Sequence, residues 1–256
     1  LEKIAVNNIA SVGIIARASN PGEIFIERKD NGHPLKLVHG TLCTIGGNWV
    51  GPAAKDDTGP LATFRREIGE ELKLKKEVKS TAELGLLGLE DAASKDYQVS
   101  VNDVSVTDED EADLADVKAA IIENCSPFGS RVLTITREAI LAADPESKRD
   151  GFSALSCYWE VLLPEDIWAK LVRLQEKFGN ISDESVSLIT SVDEIVERGD
   201  RGAFAHEHAL QKFFLDKGLA KANDMVITAH QSSVDAGPIL DSYAECLEKY
   251  DVAKHP

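Results

Sequence analysis

Short β-rich runs and amphipathic helical stretches follow one another in mixed order along the chain, and this order is what most narrows its fold. "SVGIIARA" (residues 11–18) and "EIFIER" (residues 23–28) flank the turn signal "SNPG", which predicts a β-hairpin. "LVHGTLCTIGG" (residues 37–47) reads as a third strand ending in a double glycine, before a loop rich in Gly, Pro and Asp. "TAELGLLGLED", "RVLTIT", "SALSCYWEVLLP" and "SVSLITS" read as later strands, Tyr158 and Trp159 facing opposite ways. "EDIWAKLVRLQEKFG" sets Ile167, Leu171, Leu174 and Phe178 at helical spacing and stops at Gly179. "TDEDEADLADVKAAIIENC" is a helix whose acidic entry suits the positive end of the macrodipole. "DEIVERG" is a short helix or turn, and "HEHALQKFFLDKG" and "ILDSYAECLEKY" are the final helices. With no internal repeat and no long linker, the order fits one α+β or α/β/α domain.

One helix stands apart by its charges. In "FRREIGEELKL" (residues 64–74), Glu70 and Glu71 fall within about 60° on either side of Glu67, which costs a few tenths of a kcal/mol per like pair. Leu61, Phe64, Ile68 and Leu72 form an apolar face roughly 100° away. Thr58 or Gly59 is the N-cap and Pro60 an early helical position, where a missing N–H costs nothing. A solvated stripe would tolerate such carboxylates. So would a hard cation such as Mg²⁺ or Mn²⁺, which prefers oxygen ligands and bridges phosphates. Arg66, four residues before Glu70, can orient that carboxylate.

Composition excludes several alternatives. A net charge of −16 repels phosphate backbones, so polymeric nucleic acid is not an expected partner, although a small phosphorylated ligand remains admissible. Cys43, Cys125, Cys157 and Cys246 are scattered without a CxxC pair, which suggests free thiols in a reducing cytoplasm. No apolar run approaches about 18 residues, so no membrane span is expected. His206 and His208 are two apart and point to different sides of a helix, in capping or surface roles, while His33 and His39 read as loop and strand residues. The acidic run at residues 108–113 lacks the glycine and terminal glutamate of a calcium loop and reads as a solvated helix start.

"REIGEEL" (residues 66–72) resembles the core of the Nudix box, G-x5-E-x7-R-E-U-x-E-E-x-G-U, with U a bulky aliphatic. Arg66, Glu67, Ile68, Glu70, Glu71 and Leu74 match it in type and spacing, and Gly46–Gly47 and the flanking strands fit the family. Three positions depart from the pattern: the gap from Gly47 to Arg66 is longer, Thr58 stands where the first box glutamate belongs, and Lys73 replaces the box glycine. Lysine there resists positive φ, so the helix is expected to run on through Lys75 and Lys76.

The resemblance implies a single Nudix-like α/β/α sandwich with a mixed sheet over residues 1–256. Its core would span about 10–215, with an expanded middle region at about 75–131 and a C-terminal helical extension at about 216–256. It also implies a Mg²⁺- or Mn²⁺-dependent hydrolase that cleaves the diphosphate linkage of a nucleoside diphosphate derivative by water attack at phosphorus. Glu67, Glu70 and Glu71 would hold the metals, Arg66 would orient a carboxylate, and a carbonyl of Gly46 or Gly47 would complete the shell. Glu184, with Asp183 next, is the candidate for a further carboxylate from a later loop. Trp49 would stack on a base or cover the loop. A homodimer is compatible with this reading. Two alternatives stand beside it: a Nudix-fold domain that binds a nucleotide without cleaving it, and a protein–protein module.

Overall fold

The computed structural model describes residues 3–51, 56–74, 104–228 and 231–253 of the chain. The predicted hairpin forms from β2 (Asn8–Arg17) and β3 (Asn20–Arg28), after a short β1 (Ile4–Val6). The predicted third strand is broken in two, β4 (Leu42–Cys43) and β5 (Ile45–Asn48), because the Thr44 backbone turns aside to bond His206. Helix α1 (Pro60–Glu71) follows, then α2 (Asp108–Glu123), β6 (Cys125–Ile135), α3 (Arg137–Ala143), β7 (Phe152–Leu163) and α4 (Glu165–Phe178). The chain continues through β8 (Val186–Ser191), α5 (Val192–Arg198), α6 (Glu207–Asp216), β9 (Gln231–Gly237), α7 (Tyr243–Lys249) and β10 (Tyr250–Val252).

Eight strands make one mixed sheet, with the path β4-β3-β2-β7-β6-β9, β5 added on β2 and β8 on β3. Strands β2 and β7 run parallel over ten residue pairs at its centre. On its other edge β2 changes partner: residues 10–13 pair with β5, while residues 15–17 pair with β3. The sheet forks there, and the fork leaves room beside Gly46 and Gly47.

Alternation along the central strands sends side chains to two separate cores. Ile15, Phe25, Trp159 and Val161 pack under α1, α2 and α4 through Phe64, Ile68, Val117 and Leu171. Val12, Ile14, Ile24, Ile26 and Tyr158 pack under α5 and α6 through Ile195, Leu210 and Phe213. The result is an α/β fold with helices on both faces of a mixed sheet. Helix α2 is fixed at its start by a reciprocal cap between Thr107 and Asp110 and tied to α4 by Arg173 and Lys177, both on Asp110. Among the described residues, no helix is long and apolar enough to cross a membrane.

Three expectations are corrected. Helix α1 ends at Glu71 rather than running on, because the next residues bond elsewhere: Lys73 N–H donates to Ile181 O at 2.9 Å and Asp183 N–H to Glu71 O at 2.7 Å. The expanded middle region does not reach residue 131, since β6 starts at Cys125 and pairs along β7 in the body of the sheet. The C-terminal segment is not purely helical: β9 extends the sheet beside β6, and β10 pairs in parallel with β1. The strand expected at "TAELGLLGLED" lies outside the described residues.

Buried Ser11 joins three elements. Its hydroxyl donates to Pro60 O at 2.7 Å and accepts from Trp159 Nε1 at 2.8 Å, linking β2, the start of α1 and β7. Ser11→Ala leaves the buried Trp159 indole N–H without its partner, while Pro60 O stays within the α1 hydrogen-bond ladder, so urea unfolding should show a loss of about 1–3 kcal/mol.

Candidate functional site

The site forms where α1 lies across β5. Gly46 has φ 135, a conformation glycine adopts freely, and an added Cβ there would sit 2.2 Å from Ser11 O. A Cβ on Gly47 would sit 2.3 Å from the Glu67 carboxyl carbon. The glycine pair is thus the width of the gap between β2 and α1. It lets two glutamates lie against bare backbone: Glu67, 8% exposed, and Glu71, 2% exposed. Glu71 Oε2 accepts from Gly46 N–H at 2.9 Å.

Arg66 gathers the outer groups. Its guanidinium meets Asp57 Oδ2 at 3.0 Å, Glu67 Oε1 at 2.7 Å, Glu70 Oε2 at 2.8 Å and Asn48 O at 3.0 Å. Asp57 also accepts from Thr63 Oγ1 at 3.1 Å, which fixes the loop before α1 to its second turn. The three glutamates of the stripe therefore divide. Glu67 and Glu71 turn inward, whereas Glu70 stays exposed on Arg66.

Two charged residues that sequence reasoning missed lie beneath Glu71. Glu27, 1% exposed, and Lys29, 8% exposed, leave β3 on the α1 side of the sheet, as Phe25 does. Lys29 Nζ lies 3.5 Å from Glu27 Oε2 and donates to Ser185 Oγ at 3.0 Å. The signal was present in "EIFIERK", where alternation sends Phe25, Glu27 and Lys29 to one face, and charges at inward positions call for a reason.

Electrostatics follow from this crowding. Burial pushes the Glu71 carboxyl well above the usual range, and Glu27 pushes the same way against Lys29 and the Gly46 N–H. Burial also raises Glu67, opposed by Arg66. Burial works against the charge of Lys29, but the acidic groups around it, Glu27 first among the carboxylates, outweigh it and keep the ammonium charged. Glu184 is exposed; it shares with Lys29, Gly46 and Gly47 a cavity of about 200 Å³. Asp183 instead pairs with Lys73 at 2.8 Å.

Trp49 does not reach this cavity. It is 6% exposed and stacks on Tyr243, with centroids 4.2 Å apart, so it covers the loop rather than offering a face to a base. His206 is buried rather than on the surface, its Nδ1 2.8 Å from the Thr44 hydroxyl.

No family model, curated protein or solved structure matches the chain. What the site can do is therefore argued from its own atoms. Around Gly46 and Gly47 the hard oxygen donors are the Glu67 and Glu71 carboxylates and the two glycine carbonyls, with Glu184 in the cavity lining, which also holds Cys43, His33 and His206. The oxygens suit Mg²⁺ or Mn²⁺ better than zinc. As the side chains stand, no three acidic, histidine or cysteine groups among the described residues converge on one point as an ion's ligands would. Arg66 holds Glu67, and Glu71 is bonded to Gly46. Buried carboxylates pushed toward protonation are nonetheless the groups a divalent ion would relieve. Glu67 would have to leave Arg66 before it could help hold one.

His206 sets a pH dependence apart from these acids. Burial, aided by Lys29, lowers its pKa to about 3 from an ordinary 6.5. The unfolded chain then binds one more proton below about pH 6.5, so this contribution is complete above that pH and is lost as pH falls, by up to about 1.4 kcal/mol per unit. Glu71 and Glu67, raised by burial, act in the opposite sense, so urea titrations between pH 7 and pH 5 should show the stability of wild type relative to His206→Gln falling with pH.

Proposed function

We propose that the protein is a divalent-metal-dependent hydrolase of Nudix type, cleaving the diphosphate linkage of a nucleoside diphosphate derivative. One observation carries the reading: Glu67 and Glu71 are buried against Gly46–Gly47, and the same glycine pair lines a cavity with Lys29 and Glu184. Mg²⁺ or Mn²⁺ held by Glu67, Glu71, Glu184 and a Gly46 or Gly47 carbonyl would polarise phosphoryl oxygens and lower the pKa of a bound water. Water oxygen attacks one phosphorus, the bond from that phosphorus to the bridging oxygen breaks, and the other phosphate leaves with that oxygen. The proton lost by water passes to one of the two buried glutamates. Arg66, anchored by Asp57 and Asn48 O, holds the end of α1 against β5 and orients Glu67 and Glu70. Lys29 offers positive charge to the substrate in a chain that is otherwise strongly acidic. Glu70, on the solvent side of Arg66, is the third acid within reach.

A second reading, a domain that binds a nucleotide without cleaving it, is favoured by one feature. Arg66 and Lys29 already neutralise much of the acid cluster from within the protein. The two readings part on turnover. Nucleoside diphosphate derivatives incubated with Mg²⁺ should release a nucleoside monophosphate, and Glu67→Gln or Glu71→Gln should lower kcat/KM by about 10²–10⁴-fold. Binding without turnover across the panel selects the second reading.

A further inference from the structure

His33, Phe152 and Phe204 supply an aromatic end to the same cavity beside Leu133 and Ile135. Phe204 is the middle ring. Its centroid lies 5.8 Å from His33, 6.4 Å from Phe152 and 6.0 Å from His206, and the three neighbours meet it at interplanar angles of 68°, 56° and 56°. These are edge and tilted contacts. A parallel partner for the Phe204 face is something a flat ligand would supply.

The backbone puts that ring there at a cost. Phe204 (φ 51) and Ala205 (φ 58) are consecutive left-handed residues with side chains, each disfavoured by roughly 1–2 kcal/mol. The surroundings enforce the bend. Ala203 and Ala205 are fully buried, Ala205 N–H donates to Gln231 Oε1 at 2.5 Å, and Gly202 lies so close to Glu207 that a Cβ would meet its Oε2 at 2.3 Å. Between two buried alanines, Phe204 alone is turned out, half-buried, to the cavity. Strain of this kind, held in place by its neighbours, clusters at ligand clamps. His33 adds a polar edge: burial keeps its imidazole neutral, and Nδ1 accepts from Leu35 N–H at 3.1 Å, so Nε2 carries the proton.

We propose that His33, Phe152 and Phe204 form the seat of a planar heteroaromatic ring, the nucleobase of the substrate, with its diphosphate directed to Gly46–Gly47 and Lys29. The inference rests on the nucleotide-diphosphate reading above and assigns the base to this end of the cavity instead of to Trp49. A volume of about 200 Å³ is below the ~300–1,000 Å³ of pockets that enclose a whole drug-sized ligand. It admits one ring system, with the remainder of the substrate outside.

The test is equilibrium binding in Mg²⁺ of the non-hydrolysable α,β-methylene analogues of ADP, GDP, CDP and UDP, against methylenediphosphonate, which has no base. At least one nucleoside analogue should bind about tenfold or more tighter than methylenediphosphonate, in keeping with stacking of one base on an aromatic side chain. Phe204→Gly removes the ring while relieving the left-handed backbone, so thermal unfolding should show a folded protein. It should abolish most of the base preference and move methylenediphosphonate affinity by less than about threefold. Equal affinity for all five ligands, or a base preference that survives Phe204→Gly, overturns the proposal. The hydrolase reading is scored separately by turnover. Base preference without turnover leaves the seat and removes the hydrolase, whereas equal cleavage of diphosphates with and without a base does the reverse.

Discussion

The site depends on the close approach of α1 to β5, and that approach exists because two consecutive residues of the strand lack side chains. Any Cβ at Gly46 would strike the Ser11 backbone, and any at Gly47 would strike the Glu67 carboxylate. With the gap closed to this width, Glu71 reaches the Gly46 N–H and Arg66 reaches Asn48 O, so both ends of the helix–strand contact are hydrogen-bonded. The same approach removes Glu67 and Glu71 from water. Their elevated pKa values thus follow from one steric fact.

The remainder of the fold braces that contact. Strand β2 carries it from below, exchanging β5 for β3 part-way along, while β7 runs beside β2 without a break. From above, the C-terminal segment returns: Tyr243 stacks on Trp49, its hydroxyl lies 2.6 Å from Thr63 Oγ1, and its N–H donates to Thr58 O. Pairing of β1 with β10 then fastens this returning segment to the chain's beginning. Trp49 and Tyr243 hold the loop after β5 and the start of α1 together, which accounts for a tryptophan next to a glycine pair without any ligand.

Much of this was legible in the sequence where local signals and tertiary structure agree. The hairpin, the Pro60 start of α1, the acidic start of α2 and the Gly179 stop of α4 each have one dominant local cause, and each forms where that cause predicts. Misreadings occurred where distant partners compete for the backbone. Nothing local ends α1 at Glu71; the segment at residues 181–183 does so by taking its hydrogen bonds. Strand β9, "QSSVDAG", has no apolar alternation and is a strand because β6 offers an open edge. For the site, the helical spacing of Glu67, Glu70 and Glu71 was readable, but which of them turn inward was not. That division is set by Gly47 and by Arg66, whose partners Asp57 and Asn48 come from the preceding loop and strand. Glu27 and Lys29 escaped notice because a charged pair in a strand looks like an exposed edge unless the phase of alternation is followed through.

On the proposed function, the charge arrangement is what would let so acidic a chain receive a phosphorylated ligand. Its net charge of −16 sets the distant field, which repels an anion, but screening confines that field to about 10 Å at ordinary ionic strength. Within the cavity the local groups decide, and Lys29 lines it. Arg66 supplies a second fixed cation, spread over four acceptors, so losing one of them leaves it well bonded. A divalent ion competing for Glu67 would therefore displace one contact of Arg66 without leaving a charge unpaired. The large penalty for breaking a buried ion pair arises when the remaining charge has no partner. With Asp57, Glu70 and Asn48 O still in place, Arg66 holds the acid cluster together and would, on the proposed function, remain bonded if an ion took Glu67.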